Sequence, residues 1–263
     1  MTDSGPLLTV EDLHKSFGGV AAVDGASFEV SAGTITSLIG PNGAGKSTAF
    51  NLIAGYHRLD SGRVWFRGQR IDGRRPHQVA RAGLLRTFQQ VRVMRHITVL
   101  ENVMVAAPDH PGEHLWKYLC NPRAARRYEA KTRAEAMELL ALVRLDGLAT
   151  SYASVLSGGQ RKLLEFARAL LAKPAMLLLD EPMAGVNPAL GLELLEHMQR
   201  FRDETGTTFL LVEHDLAAVM RVSDTIHVMG EGKVIASGTP AEIRAHPQVI
   251  DAYLGTAQSG AAT

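Results

Sequence analysis

Four short stretches carry residue types and spacings suited to phosphate chemistry. Gly40-Pro41-Asn42-Gly43-Ala44-Gly45-Lys46-Ser47-Thr48 fits G-x-x-x-x-G-K-[ST], a pattern in which glycines let backbone N–H groups turn inward onto phosphate oxygens. Lys46 extends an ammonium towards the β- and γ-phosphates, and the Ser47 hydroxyl suits a Mg²⁺ ligand. The apolar run Met176-Leu177-Leu178-Leu179 ends in Asp180-Glu181, two carboxylates at a sheet's carboxyl edge, where doubly wound folds bind ligands. Asp180 there suits Mg²⁺ through water, and Glu181, near a desolvated γ-phosphate, suits orienting or deprotonating an attacking water. Leu156-Ser157-Gly158-Gly159-Gln160 precedes the helical stretch Arg161 to Leu171, which makes a second helix N-terminus suited to an anion. His214 lies in Val212-Glu213-His214-Asp215 and, of the ten histidines, is the one with a motif around it.

These residues need a scaffold of alternating strands and helices. Leu7-Leu8-Thr9-Val10 and Ala26-Ser27-Phe28-Glu29-Val30 read as strands, separated by the turn signals Gly18-Gly19 and Ala32-Gly33. Thr34 to Ile39 is a third strand. It runs straight into the glycine-rich loop and the helical stretch Lys46 to Ala54, closed by Gly55. Residues 62 to 72 suggest a hairpin. From about 90 to 165 the character is helical: Thr98-Val99-Leu100-Glu101 matches a capping box, and Glu129 stands four residues before Arg133 for a surface pair. Alternation then resumes with Met176 to Leu179, helix Leu190 to Arg202, strand Thr207 to Val212 and helix Leu216 to Arg221, which implies a mainly parallel sheet.

Composition bounds the possibilities. The chain has 263 residues, 46% hydrophobic and 21% charged, with a formal net charge of +1; this is globular material for one large domain or a core with a subdomain. No apolar run approaches the roughly 18 to 20 residues of a membrane-spanning helix. The N-terminus lacks a basic start and an apolar export segment, and the single Cys120 cannot form an internal disulfide, so a reducing cytosol is expected. Near-balanced charge argues against nucleic acid as the partner. The nine arginines from Arg63 to Arg95 read as a solvated face, and so do Arg123, Arg126, Arg127, Lys131 and Arg133, which could also lie near anionic lipid headgroups.

The order Gly40 to Thr48, Phe88-Gln89, Leu156 to Gln160, Asp180-Glu181 and His214, over about residues 7 to 255, resembles the ATP-binding cassette (ABC) ATPase family. The resemblance implies an α/β P-loop NTPase core with a mainly parallel sheet, an N-terminal antiparallel β subdomain and an inserted helical subdomain. Residues 7–89 and 165–255 would form the core, 90–164 the helical signature subdomain and 256–263 a flexible tail. It further implies ATP and Mg²⁺ as ligands. Phe17 would lie against adenine, although an aromatic beside Gly18-Gly19 equally suits core packing. Asn42, Gly43, Ala44, Gly45, Lys46, Ser47 and Thr48 would cradle the phosphates, with Ser47, Gln89 and Asp180 around the metal. Gln89, rather than Gln90, would sense the metal and the attacking water; Glu181 would be the catalytic carboxylate and His214 the switch histidine. Ser157, Gly158 and Gly159 would reach the γ-phosphate bound to an opposite subunit.

Ala184-Gly185-Val186-Asn187-Pro188 departs from the family's more usual loop with Leu-Asp, and Asn187 cannot carry an aspartate's charge. The same Asn-Pro variant occurs in branched-chain amino acid importer ATPases and in lipopolysaccharide-exporter relatives. Arg86-Thr87-Phe88-Gln89, the helical insertion from about 97 to 150 and the ending Val249-Ile250-Asp251-Ala252-Tyr253-Leu254-Gly255 are similar to the importer group. The implied protein is a peripheral ATPase subunit on the cytoplasmic face of the plasma membrane. It would pair as a homodimer, or as a heterodimer with a related ATPase subunit, and drive transmembrane permease subunits that a solute-binding protein serves. The alternatives are the ATPase of a lipopolysaccharide-type exporter and a soluble ABC ATPase without a membrane partner.

Overall fold

The computed structural model describes residues 5–87, 93–108, 122–184 and 187–249. Gln89 with Phe88, Gly185, Val186, the ending from Ile250 and the expected tail 256–263 lie outside the described residues. The chain divides into two compact units: Met1–Arg86, Ala175–Pro182 and Met198–Thr263 make the first, Thr87–Pro174 and Met183–His197 the second.

The first unit holds two sheets. Strands β1 (Leu8–Phe17), β2 (Val20–Val30), β4 (Ser61–Phe66) and β5 (Gln69–Arg70) form an antiparallel sheet in the order β2-β1-β4-β5. The β1–β2 hairpin turns on Gly18 and Gly19, with φ of 53° and 86°, because a tight turn that matches strand twist needs positive φ at both central residues. Strands β3 (Ile35–Ile39), β6 (Leu84–Arg86), β7 (Met176–Asp180), β8 (Thr208–Val212), β9 (Thr225–Gly230) and β10 (Lys233–Gly238) form the second sheet, in the order β10-β9-β3-β8-β7-β6. All its neighbours pair in parallel except β9 and β10. Every residue of β3, β7 and β8 is buried, as expected for parallel strands covered on both faces.

Alternate residues of these strands feed two cores. Leu38 and Met229 pack with Phe50 of helix α1 (Lys46–Ile53), with Val79 of helix α2 (Pro76–Arg81) and with the inner face of the antiparallel sheet, through Leu8, Val10, Phe28 and Phe66. Their chain neighbours Ile39 and Val228 point the other way, onto Val219 of a helix at Leu216–Val222 and Ile243 of a helix at Pro240–Arg244. The latter helix carries a Thr239/Glu242 capping box.

His227 of β9 is buried between the sheets. Its Nε2 lies 2.9 Å from the Glu29 carbonyl and its Nδ1 2.8 Å from the Ser237 hydroxyl. A carbonyl only accepts, so Nε2 carries the proton and Nδ1 accepts from Ser237. Burial pushes the His227 pKa below 6.5, against a smaller opposing effect of the Glu29 carbonyl. The unfolded chain therefore takes up this proton at a higher pH than the folded one, and the stability His227 contributes is complete above about 6.5 and lost as pH falls below it. Thermal melts across that range should show wild type losing more stability than His227→Gln; equal losses would remove His227 as the cause.

In the second unit, helices α3 (Val99–Met104), α4 (Pro122–Leu142) and α5 (Gly158–Leu171) bury Val99, Val103, Leu140, Leu163 and Ala167. Helix α3 starts at the expected capping box: Thr98 Oγ1 accepts from Glu101 N at 3.1 Å, and Glu101 Oε2 accepts from Thr98 N at 2.7 Å. Fully buried Asn102 accepts from Met94 N and donates to the carbonyls of Met94 and Thr98, each at 2.9 Å, which satisfies the backbone that precedes the helix. On α4 the pair that forms is Lys131–Glu135 at 3.8 Å, rather than Glu129 with Arg133. The helix at Pro188–Thr205 begins in this unit and ends in the first.

Candidate functional site

Strands β9, β3, β8, β7 and β6 run in parallel side by side, so their carboxyl ends share one edge. Four chemically equipped segments follow from that edge: Gly40 to Thr48 after β3, His214 after β8, Asp180-Glu181 at the end of β7, and Arg86 at the end of β6. Residues scattered from 40 to 214 in sequence are thus collected by topology. Gln89 follows β6 by three residues but lies outside the described residues.

The loop after β3 is shaped by close approaches that only glycine allows. A Cβ on Gly40 would stand 2.1 Å from the Met229 carbonyl oxygen, and one on Gly45 would stand 2.2 Å from that of Ala22; their φ angles are 147° and 94°. The β9–β10 turn braces the loop as well, with Gly232 N donating to Ala44 O at 3.2 Å. Gly45 is the left-handed N-cap of α1 and gives it no side-chain cap, so the first-turn N–H groups are left for an anion. Asn42, Gly43 and Ser47 are exposed there, Ala44 is buried, and Thr48 is half-buried.

Lys46 is 8% exposed, and its Nζ donates to the carbonyls of Gly40 at 2.7 Å and Pro41 at 2.9 Å. Desolvation holds its pKa below the usual lysine value, while the charges of Glu181 and Asp180 act against that shift. Lysine and carboxylates therefore sense one another within this unit.

Asp180 is almost wholly buried, its side chain 1% exposed. Its Oδ2 accepts from Arg86 Nη2 at 2.7 Å, whereas its Oδ1 is buried without a partner among the described residues. Glu181 adopts φ of 49°, a left-handed conformation uncommon for a side-chain-bearing residue, and its N–H donates to Val212 O at 2.9 Å. His214, by contrast, has a side chain 65% exposed, with Nδ1 3.7 Å from Oε2 of buried Glu213. Asp215 caps the next helix by accepting from Ala217 N and Ala218 N.

Phe17 stands at the hairpin end of β1, 46% exposed, so core packing does not account for it. Its ring meets His57 edge-on at 5.4 Å, and the Lys15 ammonium lies 5.4 Å from its centroid. Two residues beyond its partner Val20, Ala22 approaches the loop at Gly45.

In the second unit Ser157 caps α5: its Oγ accepts from Gln160 N at 3.3 Å, and Gln160 Oε1 accepts from Ser157 N at 2.9 Å. The N–H groups of Gly158 and Gly159 then remain as first-turn donors without intrahelical partners. Among the described residues a Cβ on Gly158 would meet nothing within 4 Å, so their packing does not require that glycine.

The arginine that sequence reasoning left on a solvated face is the residue it missed. Arg86 has a side chain only 11% exposed. It bridges Asp180 and Asn51, whose Oδ1 accepts from Nη1 at 2.5 Å, and its guanidinium stacks over Tyr56 at 5.4 Å. The signal available was an arginine ending a strand just before Phe88-Gln89.

A mainly parallel sheet with a glycine-rich loop feeding a helix from β3, a buried lysine in that helix and a buried acid at the end of β7 defines a P-loop nucleotide-binding protein. Comparison with known proteins narrows the class: residues 23–184 match the ABC transporter family model, and residues 233–258 match the model for the branched-chain amino acid ATP-binding cassette transporter. The chain belongs to the ABC transporter ATPase family. It is 42% identical to the high-affinity branched-chain amino acid transport ATP-binding protein LivG of Salmonella typhimurium, over 97% of this chain and 100% of that one. It is 41% identical, at the same coverage, to BraF of Pseudomonas aeruginosa, which carries the same description. Among solved structures, an ATP-binding cassette of an ABC transporter in its ADP conformation aligns with a TM-score of 0.79 and 35% identity, over 95% of this chain and 99% of that one.

Proposed function

We propose that this chain is the ATP-hydrolysing subunit of an importer for branched-chain amino acids or related small polar solutes, working on the cytoplasmic face of the plasma membrane. The observation that carries the reading is the match at residues 233–258. That segment lies outside the four site segments, so nucleotide chemistry alone does not account for it. Among the described residues no helix is long and apolar enough to cross a membrane; in this reading the solute path belongs to permease subunits. A solute-binding protein would deliver the cargo to them.

In this reading the loop Asn42 to Thr48 wraps the phosphates, and Lys46 exchanges its carbonyl partners for phosphate oxygens. Phe17 offers an exposed face to adenine. Glu181 takes a proton from the attacking water, with Gln89 and His214 orienting water and γ-phosphate. The residues fit a divalent ion. Asp180 keeps a buried free oxygen, Ser47 is exposed at the start of α1, and no cluster of three acidic, histidine or cysteine side chains among the described residues would hold a metal alone. Phosphates and water would then complete the shell around Ser47, Gln89 and Asp180. Bound there, Mg²⁺ neutralises charge on the β- and γ-phosphates. Gly158 and Gly159 supply their free N–H groups, and Ser157 its hydroxyl, to nucleotide on a second cassette, and for this reason the chain works as a homodimer or beside a related ATPase subunit. Asn187 is exposed and takes the loop's inter-subunit place without a charge.

Deleting the gene should abolish high-affinity uptake of labelled leucine, isoleucine and valine, restored by wild type and not by Glu181→Gln. Undiminished uptake would overturn the cargo. Failure of the tagged chain to recover any integral membrane protein from detergent extracts would overturn the transporter reading itself.

A further inference from the structure

We infer that Arg86 is a positioning residue for the metal-site carboxylate: by fastening one oxygen of Asp180 to Asn51 of the P-loop helix, it leaves the other as the acceptor available to the magnesium of Mg-ATP. The inference rests on the Mg-ATP reading above and adds a residue to it.

Three features of the first unit carry it. The Arg86 fork serves two acceptors on separate elements, Asp180 Oδ2 at 2.7 Å on β7 and Asn51 Oδ1 at 2.5 Å on α1. A guanidinium presents such paired donors in one fixed plane, which the single ammonium of lysine cannot reproduce. The Tyr56 ring at 5.4 Å further fixes that plane. Asn51 lies five residues beyond Lys46 on the same helix, so the bridge ties the element that anchors the phosphates to the strand that bears the acid.

Stability does not account for the arrangement. A buried ion pair gives little net stability over apolar packing of the same volume, and the partnerless Oδ1 adds a desolvation penalty. An acid that served the fold alone would have both oxygens satisfied. Here one oxygen is locked and the other is desolvated and free, which is how a carboxylate prepared for a cation is held by its supporting groups.

The test is ATP affinity by calorimetry, in magnesium and in EDTA, on the full chain. Wild type should bind ATP more tightly with magnesium, and Asp180→Asn should lose that gain. Arg86→Lys keeps the charge and breaks the bridge. It should weaken the magnesium-dependent affinity by roughly 10- to 100-fold and leave the affinity in EDTA unchanged. A folded Arg86→Lys with a wild-type magnesium gain would overturn the inference, because a merely structural role lowers melting temperature without touching that gain. Should Arg86→Lys fail to fold, Asn51→Ala decides. It removes one acceptor and keeps the buried pair, and it should lose part of the same gain; an intact gain would overturn the proposal. No magnesium gain in wild type would instead sink the metal-site reading beneath it, a result distinct from a gain that Asp180→Asn loses and Arg86→Lys retains.

Discussion

Glu181→Gln is expected to bind ATP near wild-type affinity, to hydrolyse it about 10²- to 10⁴-fold more slowly, and to hold the nucleotide-bound chains together as a pair. The substitution is nearly isosteric. It keeps the left-handed backbone at φ 49° and the N–H bond to Val212 O, so the side chain stays where it is and only its basicity is lost. Phosphate release under saturating ATP measures the rate, and size-exclusion chromatography with ATP measures the pairing. Turnover near wild type would remove Glu181 from the catalytic role. A collapse of ATP affinity would show that the carboxylate's work is in binding instead.

Lys46→Ala acts one step earlier. Charge-assisted hydrogen bonds contribute about 1.5–3 kcal/mol each, so losing the ammonium should weaken ATP binding by a factor of roughly 10 to 150. Part of the gross gain is offset because Lys46 already donates to Gly40 and Pro41 in the absence of nucleotide. Those carbonyls lose their donor in the variant, so a modest fall in melting temperature should accompany the lost affinity. Calorimetry with ATP reads the first effect and a thermal melt the second. Unchanged affinity would refute the placement of Lys46 at the phosphates.

Much of this was legible from local signals. The glycine loop and the run Met176 to Glu181 announce themselves because an apolar strand that stops in glycines or carboxylates leaves few other readings. The Thr98/Glu101 box is likewise a short-range device. What escaped depends on residues far apart in sequence. Arg86 is one of nine arginines spread over hairpin and loop positions, and its partner Asp180 lies 94 residues away, so its place just before Phe88-Gln89 is the one local mark that sets it apart, and that mark does not name the partner. Strands β9 and β10 were not anticipated. Yet β9 pairs with β3 and shapes the phosphate loop through Met229, as the turn after it does through Gly232. His227 and Thr225 interrupt its apolar character, and burial of the histidine depends on Glu29 across the chain. Strands β1 and β2 run longer than the apolar alternation at Leu7 to Val10 and Ala26 to Val30 because their outer ends, near Phe17 and Val20, are exposed. The Thr239/Glu242 box is the same short-range device, but no strong apolar run follows it to mark a helix.

This cassette is expected to hydrolyse ATP only when a second cassette completes its site. The most direct measurement is the hydrolysis rate per chain of the purified protein at saturating Mg-ATP across a wide range of protein concentration, with particle size followed in the same samples. A rate per chain that climbs with concentration and levels off as pairs form is the predicted result. A constant rate per chain from particles that remain single would contradict it.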